Sequence, residues 1–147
     1  MQNYIQIIER MSAVQYRINY NDRKPKNFGT DQLLYHSEIH FIDAIGDGDI
    51  NASTLSKKLD VTNGAITQVS EKLIKKQLVQ KYKRDTNKKE VFFKLTDQGK
   101  IAYKNHKLFH EQLNDMVIEY LKGLSDEQVE GILGLIGICE EHLPRIL

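Results

Sequence analysis

The chain has 147 residues, of which 40% are hydrophobic and 28% are charged. This composition suits one domain with a real hydrophobic core, and it excludes wholesale disorder. No apolar run approaches 18 residues, so we expect no membrane-spanning helix. The first residues lack a basic segment followed by an apolar one, and a single Cys139 excludes an intramolecular disulfide. We therefore expect a cytoplasmic protein.

A basic block in mid-chain is hidden by the net charge of +1. Residues 54–94 contain eleven basic and four acidic residues, a local charge of +7, whereas the rest of the chain carries −6. A positive block in an acidic frame is typical of a surface that binds a polyanion such as nucleic acid. A solvated helix face would carry the same charges, so the count alone leaves both interpretations open.

The N-terminal half is predicted to hold four helices. Apolar residues recur every three or four positions over residues 1–20, which predicts an amphipathic helix. After a polar connector, apolar residues over 34–45 mark a second helix that ends at a pair of glycines. Asn51 or Ser53 is a plausible cap of a short third helix, and Thr62 is the expected N-cap of a fourth. Two short helices joined by about four residues form the helix-turn-helix pattern.

The hydrophobic period then changes from that of a helix to that of a strand. Residues 79–84 and 90–95 are predicted strands, and the polar residues 85–89 between them form the turn of a β-hairpin. A long helix is expected over 97–121, and a capping box at 125–128 begins the last helix. The predicted fold class is mainly α with a small β-hairpin wing (α+β), built as a winged helix-turn-helix core flanked by N- and C-terminal helices.

Three stretches of the chain carry a specific combination of motifs: LSKKLDVTNGAITQ at 55–68, KKQLV at 75–79 and VFFKLTDQG at 91–99. Together they resemble the winged helix-turn-helix core of MarR-type bacterial transcriptional regulators. The resemblance covers nearly the whole chain as a single domain, 1–147, including the order of the flanking helices. It implies a homodimeric regulator, a repressor, on a pseudo-palindromic operator. Its DNA-binding lobe would be residues 32–99, and its dimerisation helices would be 1–20 and 100–147.

The apolar stripes of the first and last helices agree with a dimer. An apolar face left exposed favours association, and a twofold dimer is the commonest arrangement. Gly131, Gly134 and Gly137 recur every three residues in the last helix, where each costs about 1 kcal/mol of helix propensity relative to alanine. Close packing against another helix or a loosely formed helix would each explain them.

The predicted fourth helix begins with short polar side chains suited to DNA. The amides of a helix N-terminus can bind a phosphate, and asparagine and glutamine can read adenine through two hydrogen bonds. Gly64 permits a close approach of the backbone to DNA, whereas Thr62 is equally explained as an N-cap. The residues of this helix predicted to contact DNA are Thr62, Asn63, Gly64, Ala65, Thr67, Gln68 and Lys72.

The predicted wing departs from the MarR pattern. MarR wings commonly carry Asp-x-Arg, with an arginine that enters the minor groove, whereas this chain has Asp85-x-Asn87 followed by Lys88 and Lys89. Lysine lacks the planar fork of arginine, so we expect phosphate contacts and a weaker readout of the minor groove. We expect Arg84, just before the turn, to take the place of the missing arginine. Arg84, Asn87, Lys88 and Lys89 are therefore the predicted DNA contacts of the wing.

Four of the five histidines form two pairs at i,i+4 spacing, His36 with His40 and His106 with His110. Each pair shares one helix face, and both rings of a pair can reach one metal ion. Surface or interface histidines with ordinary hydrogen bonds would show the same spacing. The spacing by itself therefore leaves both interpretations open.

The chain also resembles the zinc-sensing branch of the MarR family, the repressors of zinc uptake. In that resemblance His40, His106 and His110 fall on metal-binding positions, and Asp22 falls on the position of a carboxylate in the connector after the first helix. The resemblance implies a zinc ion held by these four residues as the effector.

The sequence also allows other metal ligands and other effectors. His36 and Glu38 are alternative metal ligands, although Glu38 lies about 200° around the helix from His36. A second site of the zinc-sensing branch uses a cysteine where this chain has Phe28, so we do not expect that site. A small aromatic or lipophilic molecule in the cleft between lobe and stem is the alternative effector. An architectural winged module without an effector is the alternative function.

Known enzyme motifs are missing or misplaced. The run His36–His40 places its glutamate in the centre, whereas zinc peptidases need it directly beside one of the two histidines. The sequence has no glycine-rich phosphate loop and no GxSxG. The lone Cys139 is expected to be a buried structural thiol, because an oxidant sensor requires an exposed thiolate. We therefore predict that the chain is not an enzyme.

Overall fold

A computed structural model describes residues 2–142, apart from the side chains of Gln2 and Asp22. Residues 143–147, the end of the predicted dimerisation segment, lie outside this range. None of the helices in the described range is long and apolar enough to cross a membrane. The elements are α1 (Gln2–Asp22), α2 (His36–Ile45), β1 (Asp49–Asn51), α3 (Ala52–Leu59), α4 (Asn63–Lys75), β2 (Val79–Arg84), β3 (Asn87–Leu95), α5 (Asp97–Lys122) and α6 (Asp126–His142).

The chain divides into two compact units inside α5, between Leu108 and Phe109. The first unit holds α1 to α4, the sheet and the start of α5. The second unit holds the rest of α5 and α6. Mainly helical structure with a small antiparallel sheet confirms the predicted winged helix-turn-helix fold.

The core of the first unit lies between the short helices and the sheet. The 8-residue α3 and the 10-residue α2 are too short to be stable alone in water, so burial must stabilise them. Each fully buried aliphatic or aromatic side chain contributes about 1.5–3 kcal/mol. The largest fully buried side chains are Phe41, Leu34, Ile42, Leu55, Ile66, Leu73 and Leu78.

Side-chain caps define the helix-turn-helix. The Asn51 side chain accepts a hydrogen bond from the Thr54 amide at 2.7 Å, and that of Thr62 accepts one from the Ala65 amide at 3.2 Å. Asp60, in the left-handed region with φ 52°, ends α3. Both caps were expected from the sequence. They satisfy backbone donors that a helix N-terminus leaves unpaired.

The sheet has the strand order β1-β3-β2 and is antiparallel throughout. Strand β1 was missed by the sequence analysis, because three residues are too few to show a period of two. The predicted turn at 85–89 was also too long. Strand β3 begins at Asn87, which pairs with Arg84, so the hairpin turn is only Asp85 and Thr86.

The second unit begins α6 with the expected capping box. The Gln128 side chain accepts from the Ser125 amide at 2.9 Å, and the Ser125 hydroxyl accepts from the Gln128 amide at 3.3 Å. No residue of Asp126–His142 is buried within the single chain, and Cys139 is half-buried. The apolar side chains of α6 therefore have no core of their own within the described chain.

Gly99, in the first turn of α5, packs against the backbone of Leu78. A methyl group at position 99 would overlap the Leu78 carbonyl oxygen, whereas one at Gly64, in the first turn of α4, would meet only the Thr62 hydroxyl at 3.8 Å. We expect Gly99→Ala to lower the free energy of unfolding by about 1–3 kcal/mol, the usual cost of overpacking. Urea denaturation at equal protein concentration measures it. Gly64→Ala is the matched control and should not destabilise the chain, so equal losses would contradict this packing.

Candidate nucleic-acid interface and histidine cluster

The N-terminal part of α4 presents polar side chains to solvent. Ile66, Ser70 and Leu73 are buried, whereas Gly64 and Gln68 lie on the exposed side. This division follows from the helix period, since residues four apart share a face. Of the residues predicted to contact DNA, those exposed on and beside α4 are Thr62, Asn63, Gly64, Thr67, Gln68 and Lys72.

Three residues predicted to contact DNA, namely Thr62, Ala65 and Thr67, also have structural roles or neighbours within the chain. Thr62 caps α4, and the Thr67 hydroxyl donates to the Asn63 carbonyl at 3.0 Å. Ala65 is half-buried and lines a cavity described below. Gly64 differs, because its φ is not positive and a Cβ there would have room. The fold therefore does not require a glycine at position 64, and close approach of a partner would explain it.

The wing carries exposed lysines beside a two-residue turn. Lys88 and Lys89 are exposed, and the Asn87 side chain accepts from the amides of Lys89 and Glu90 at 3.2 and 3.3 Å. Asn87 therefore shapes the tip of the wing. Arg84 lies at the other side of the turn and pairs with Asp49 of β1.

Glu38 is not placed as a metal ligand. It is 3% exposed, and both carboxylate oxygens accept from the Lys76 ammonium at 2.7 Å. One of them also accepts from the Tyr35 amide at 2.9 Å. The Lys76 ammonium further donates to the Leu33 carbonyl at 2.7 Å. The end of α4 is thereby tied to the start of α2.

Three histidines of the first unit, His36 and His40 of α2 and His106 of α5, lie close together. We call these three residues and the neighbouring Asp43 the histidine cluster. The ring centroids of His36 and His40 are 4.1 Å apart, and those of His40 and His106 are 5.7 Å apart. His106 is 5% exposed, and its Nδ1 lies 3.6 Å from a carboxylate oxygen of Asp43. Phe28 packs edge-on against the His106 ring at 5.4 Å.

Two of the four predicted zinc ligands lie close together in the first unit. His40 and His106 belong to the cluster, together with His36, which the sequence analysis named as an alternative. His110 lies on α5 in the second unit, and the side chain of Asp22 is outside the described part of the chain. Among the described residues, no group of three or more His, Cys, Asp or Glu side chains is arranged to hold a metal ion.

A cavity of about 320 Å³ opens beside the same histidines, within the first unit. Its size is within the range of small-molecule sites. His36, Ser37 and His40 supply its polar groups, and apolar side chains from α2 to α4 supply the rest. Its walls come from three helices, so no single segment of the sequence indicates it. The apolar lining residues are Phe41, Leu59, Val61, Ala65, Ile66 and Val69.

Comparisons with known proteins agree with this geometry. The model of the MarR family matches residues 42–91, from α2 into β3. The HTH-type transcriptional regulator PchR of Bacillus subtilis (strain 168) is 33% identical over 98 residues, which are 66% of this chain and 58% of PchR. The matched part thus spans less than two thirds of that relative. The curated relatives are transcriptional regulators and not enzymes, as the sequence analysis predicted.

Two solved structures share the fold over nearly the whole chain. Streptococcus pneumoniae FabT in complex with DNA is similar at a TM-score of 0.68 and 26% identity, covering 94% of this chain and 98% of FabT. Lactococcus lactis ZitR, a zinc-responsive MarR family member, is similar at a TM-score of 0.77 and 16% identity, covering 96% and 99%. At 16% identity the likeness to ZitR concerns the fold alone. The family match over the helix-turn-helix and wing, together with the curated relatives, places the chain in the MarR family.

Proposed function

We propose that this chain is a sequence-specific DNA-binding transcriptional regulator, a repressor, that acts as a homodimer on a pseudo-palindromic operator. The observation that carries the proposal is the exposed polar face of α4, with Gly64 free of any packing role in the fold. In a helix-turn-helix protein the second helix enters the major groove, and its N-terminal residues reach the base edges. Asn63 and Gln68 are the residues suited to read bases.

The wing supplies the second part of the interface. Lys88 and Lys89 are exposed beside the turn, in the basic block of residues 54–94. Exposed ammonium groups neutralise phosphates and release counterions, which gives affinity without sequence information. In this proposal α4 supplies specificity and the wing supplies affinity.

A homodimer would bring two such modules onto one operator, in two half-sites about one helical turn apart. Large apolar side chains are exposed on α1, α5 and α6, for example Ile8 at 65%, Met116 at 73% and Leu133 at 61%. A Cβ at Gly131, Gly134 or Gly137 would meet no heavy atom of the described chain within 4 Å, so packing within the chain does not explain these glycines. Apolar faces and small residues of this kind favour contact with a second copy.

Zinc is the effector that we propose for this regulator. His40, His106 and His110 with Asp22 would hold it, and His36 and Asp43 are further donors in the histidine cluster. The support is the meeting of three imidazoles from α2 and α5, the ligand type that zinc prefers. A zinc ion would join α2 to α5 and thereby bias which conformation of the dimer is populated.

The cavity beside His36 and His40 favours a second candidate effector. Its apolar walls and few polar groups suit a small aromatic or lipophilic molecule. Such a ligand would contact α2, the α3–α4 turn and α4, so it would act directly on the recognition helix. A metal titration distinguishes the two candidate effectors.

Sequence preference tests the DNA-binding proposal. Selection from random duplexes, followed by fluorescence anisotropy, should find a site bound at least about a thousandfold more tightly than unrelated DNA. Gln68→Ala should relax specificity. Lys88→Ala should weaken binding to all sequences alike and lower the salt slope by about one. Lys104→Ala, an exposed lysine outside the basic block, is the control.

The absence of any preferred site would overturn the regulator proposal and leave an architectural role. Equal losses on every sequence for Gln68→Ala and Lys88→Ala would contradict the division between α4 and the wing.

Chelator-competition titration of metal-free protein tests the zinc proposal. We expect tight binding of one Zn²⁺ per protomer, loss of that binding in His106→Ala, and a change in DNA affinity when zinc is added. His142→Ala is the matched control, because His142 lies exposed on α6 and its ring nitrogen contacts the Ile138 carbonyl at 3.0 Å. Weak binding that His106→Ala leaves unchanged would reject zinc and favour the cavity ligand.

Sedimentation equilibrium tests the homodimer. Met116→Glu on α5 and Leu133→Glu on α6 should each weaken self-association at least about tenfold, because each places a charge in an apolar interface. Lys122→Glu, about 120° around α5 from Met116, should leave self-association nearly unchanged. A monomeric wild type, or equal effects of all three substitutions, would contradict the proposed interface.

A further inference from the structure

The guanidinium of Arg84 contacts three side chains of the sheet, although the Arg84 side chain is still 47% exposed. Its Nη2 donates to both carboxylate oxygens of Asp49, at 3.0 and 2.9 Å. Its Cζ lies 4.0 Å from the ring centroid of Phe92. The Tyr82 hydroxyl donates a hydrogen bond to the same Asp49 carboxylate. We call these four residues the wing brace.

The wing brace crosses the sheet. Asp49 belongs to the edge strand β1, Arg84 and Tyr82 belong to the opposite edge strand β2, and Phe92 belongs to the central strand β3. A shift of register falls between Tyr82 and Arg84. Such irregularities often re-aim a side chain at the end of a ladder. The brace therefore joins the end of β2, beside the turn of the wing, to the segment that leads from α2 into α3.

The contacts of Arg84 compete with any contact to DNA. Its charge is already matched by a carboxylate, and its flat face is covered by Phe92. A phosphate that binds at Nη2 would have to displace Asp49, whereas the ammonium groups of Lys88 and Lys89 are exposed on β3 beyond the turn. Arginine suits this internal role because its planar fork can pair with a carboxylate and stack on a ring at once.

We infer that Arg84 and Asp49 are positioning residues that set the angle of the wing, and that Arg84 does not contact DNA. This assigns Arg84 a different role from the one that the sequence analysis gave it. The contacts of the wing brace are present without DNA. Only the statement about the role of Arg84 toward DNA rests on the proposed function. Lys88 and Lys89 are then the charged groups of the wing that meet phosphate.

Hydrogen exchange of the β2 and β3 amides, measured without DNA, tests the brace directly. Asp49→Ala and Arg84→Lys should each speed this exchange by at least about threefold, because β2 loses its side-chain tie to β1 and only the backbone pairing of β1 with β3 remains. The matched controls are Asp47→Ala, an exposed acid two residues earlier, and Lys83→Gln, an exposed cation beside Arg84. If the amides exchange no faster in Asp49→Ala and Arg84→Lys than in the two controls, the wing brace does not stabilise the hairpin and the inference is overturned.

DNA binding then tests the role of Arg84. If Arg84 positions the wing, Asp49→Ala and Arg84→Lys weaken binding by a similar factor, and Arg84→Gln leaves the salt slope unchanged. If Arg84 contacts a phosphate, Arg84→Lys keeps affinity, and Arg84→Gln lowers the salt slope by about one. In that case Asp49→Ala also strengthens binding more than Asp47→Ala does, because it frees the guanidinium. This second pattern would overturn the inference, whereas a wild type without any preferred DNA site would overturn only the proposed function.

Discussion

Burial of the apolar faces of three short helices against a three-stranded sheet is the constraint on which the first unit depends. Leu55 of α3 and Ile66 of α4 are 0% and 2% exposed, and they share one core with Phe93 of β3. The turn between α3 and α4 must bring these two side chains together within a few residues. The left-handed Asp60 and the cap at Thr62 make that reversal possible.

The same packing decides which face of α4 is free to meet a partner. Its buried side is held by the core, and its end is held by the ion pair between Lys76 and Glu38. Removing one partner of a buried pair usually costs about 3–5 kcal/mol, so this tie restrains how α4 can move. Because Glu38 and the histidines His36 and His40 share α2, an effector bound at those histidines would act on the helix that also holds α4.

The local features of the chain were predictable because they are encoded by neighbouring residues. Helix caps at Asn51 and Thr62 need only the next three residues, and the change of period at residue 79 marks the hairpin. Strand β1 was missed, since its ladder partners lie more than forty residues away along the chain. The turn at 85–89 was misplaced, because polar residues at the start of β3 hide its strand period.

The sequence by itself determined the order of the helices, the helix-turn-helix, the wing and the basic block, because periodicity, capping and charge are local properties. Only the tertiary structure decided which charged and aromatic side chains meet. Arg84 pairs with Asp49 across 35 residues, and Lys76 pairs with Glu38 across 38. The histidine pair of α2 likewise meets His106 only because the core packs α2 near α5. Contacts between distant residues follow from the packing of whole elements, and no spacing within one segment encodes them.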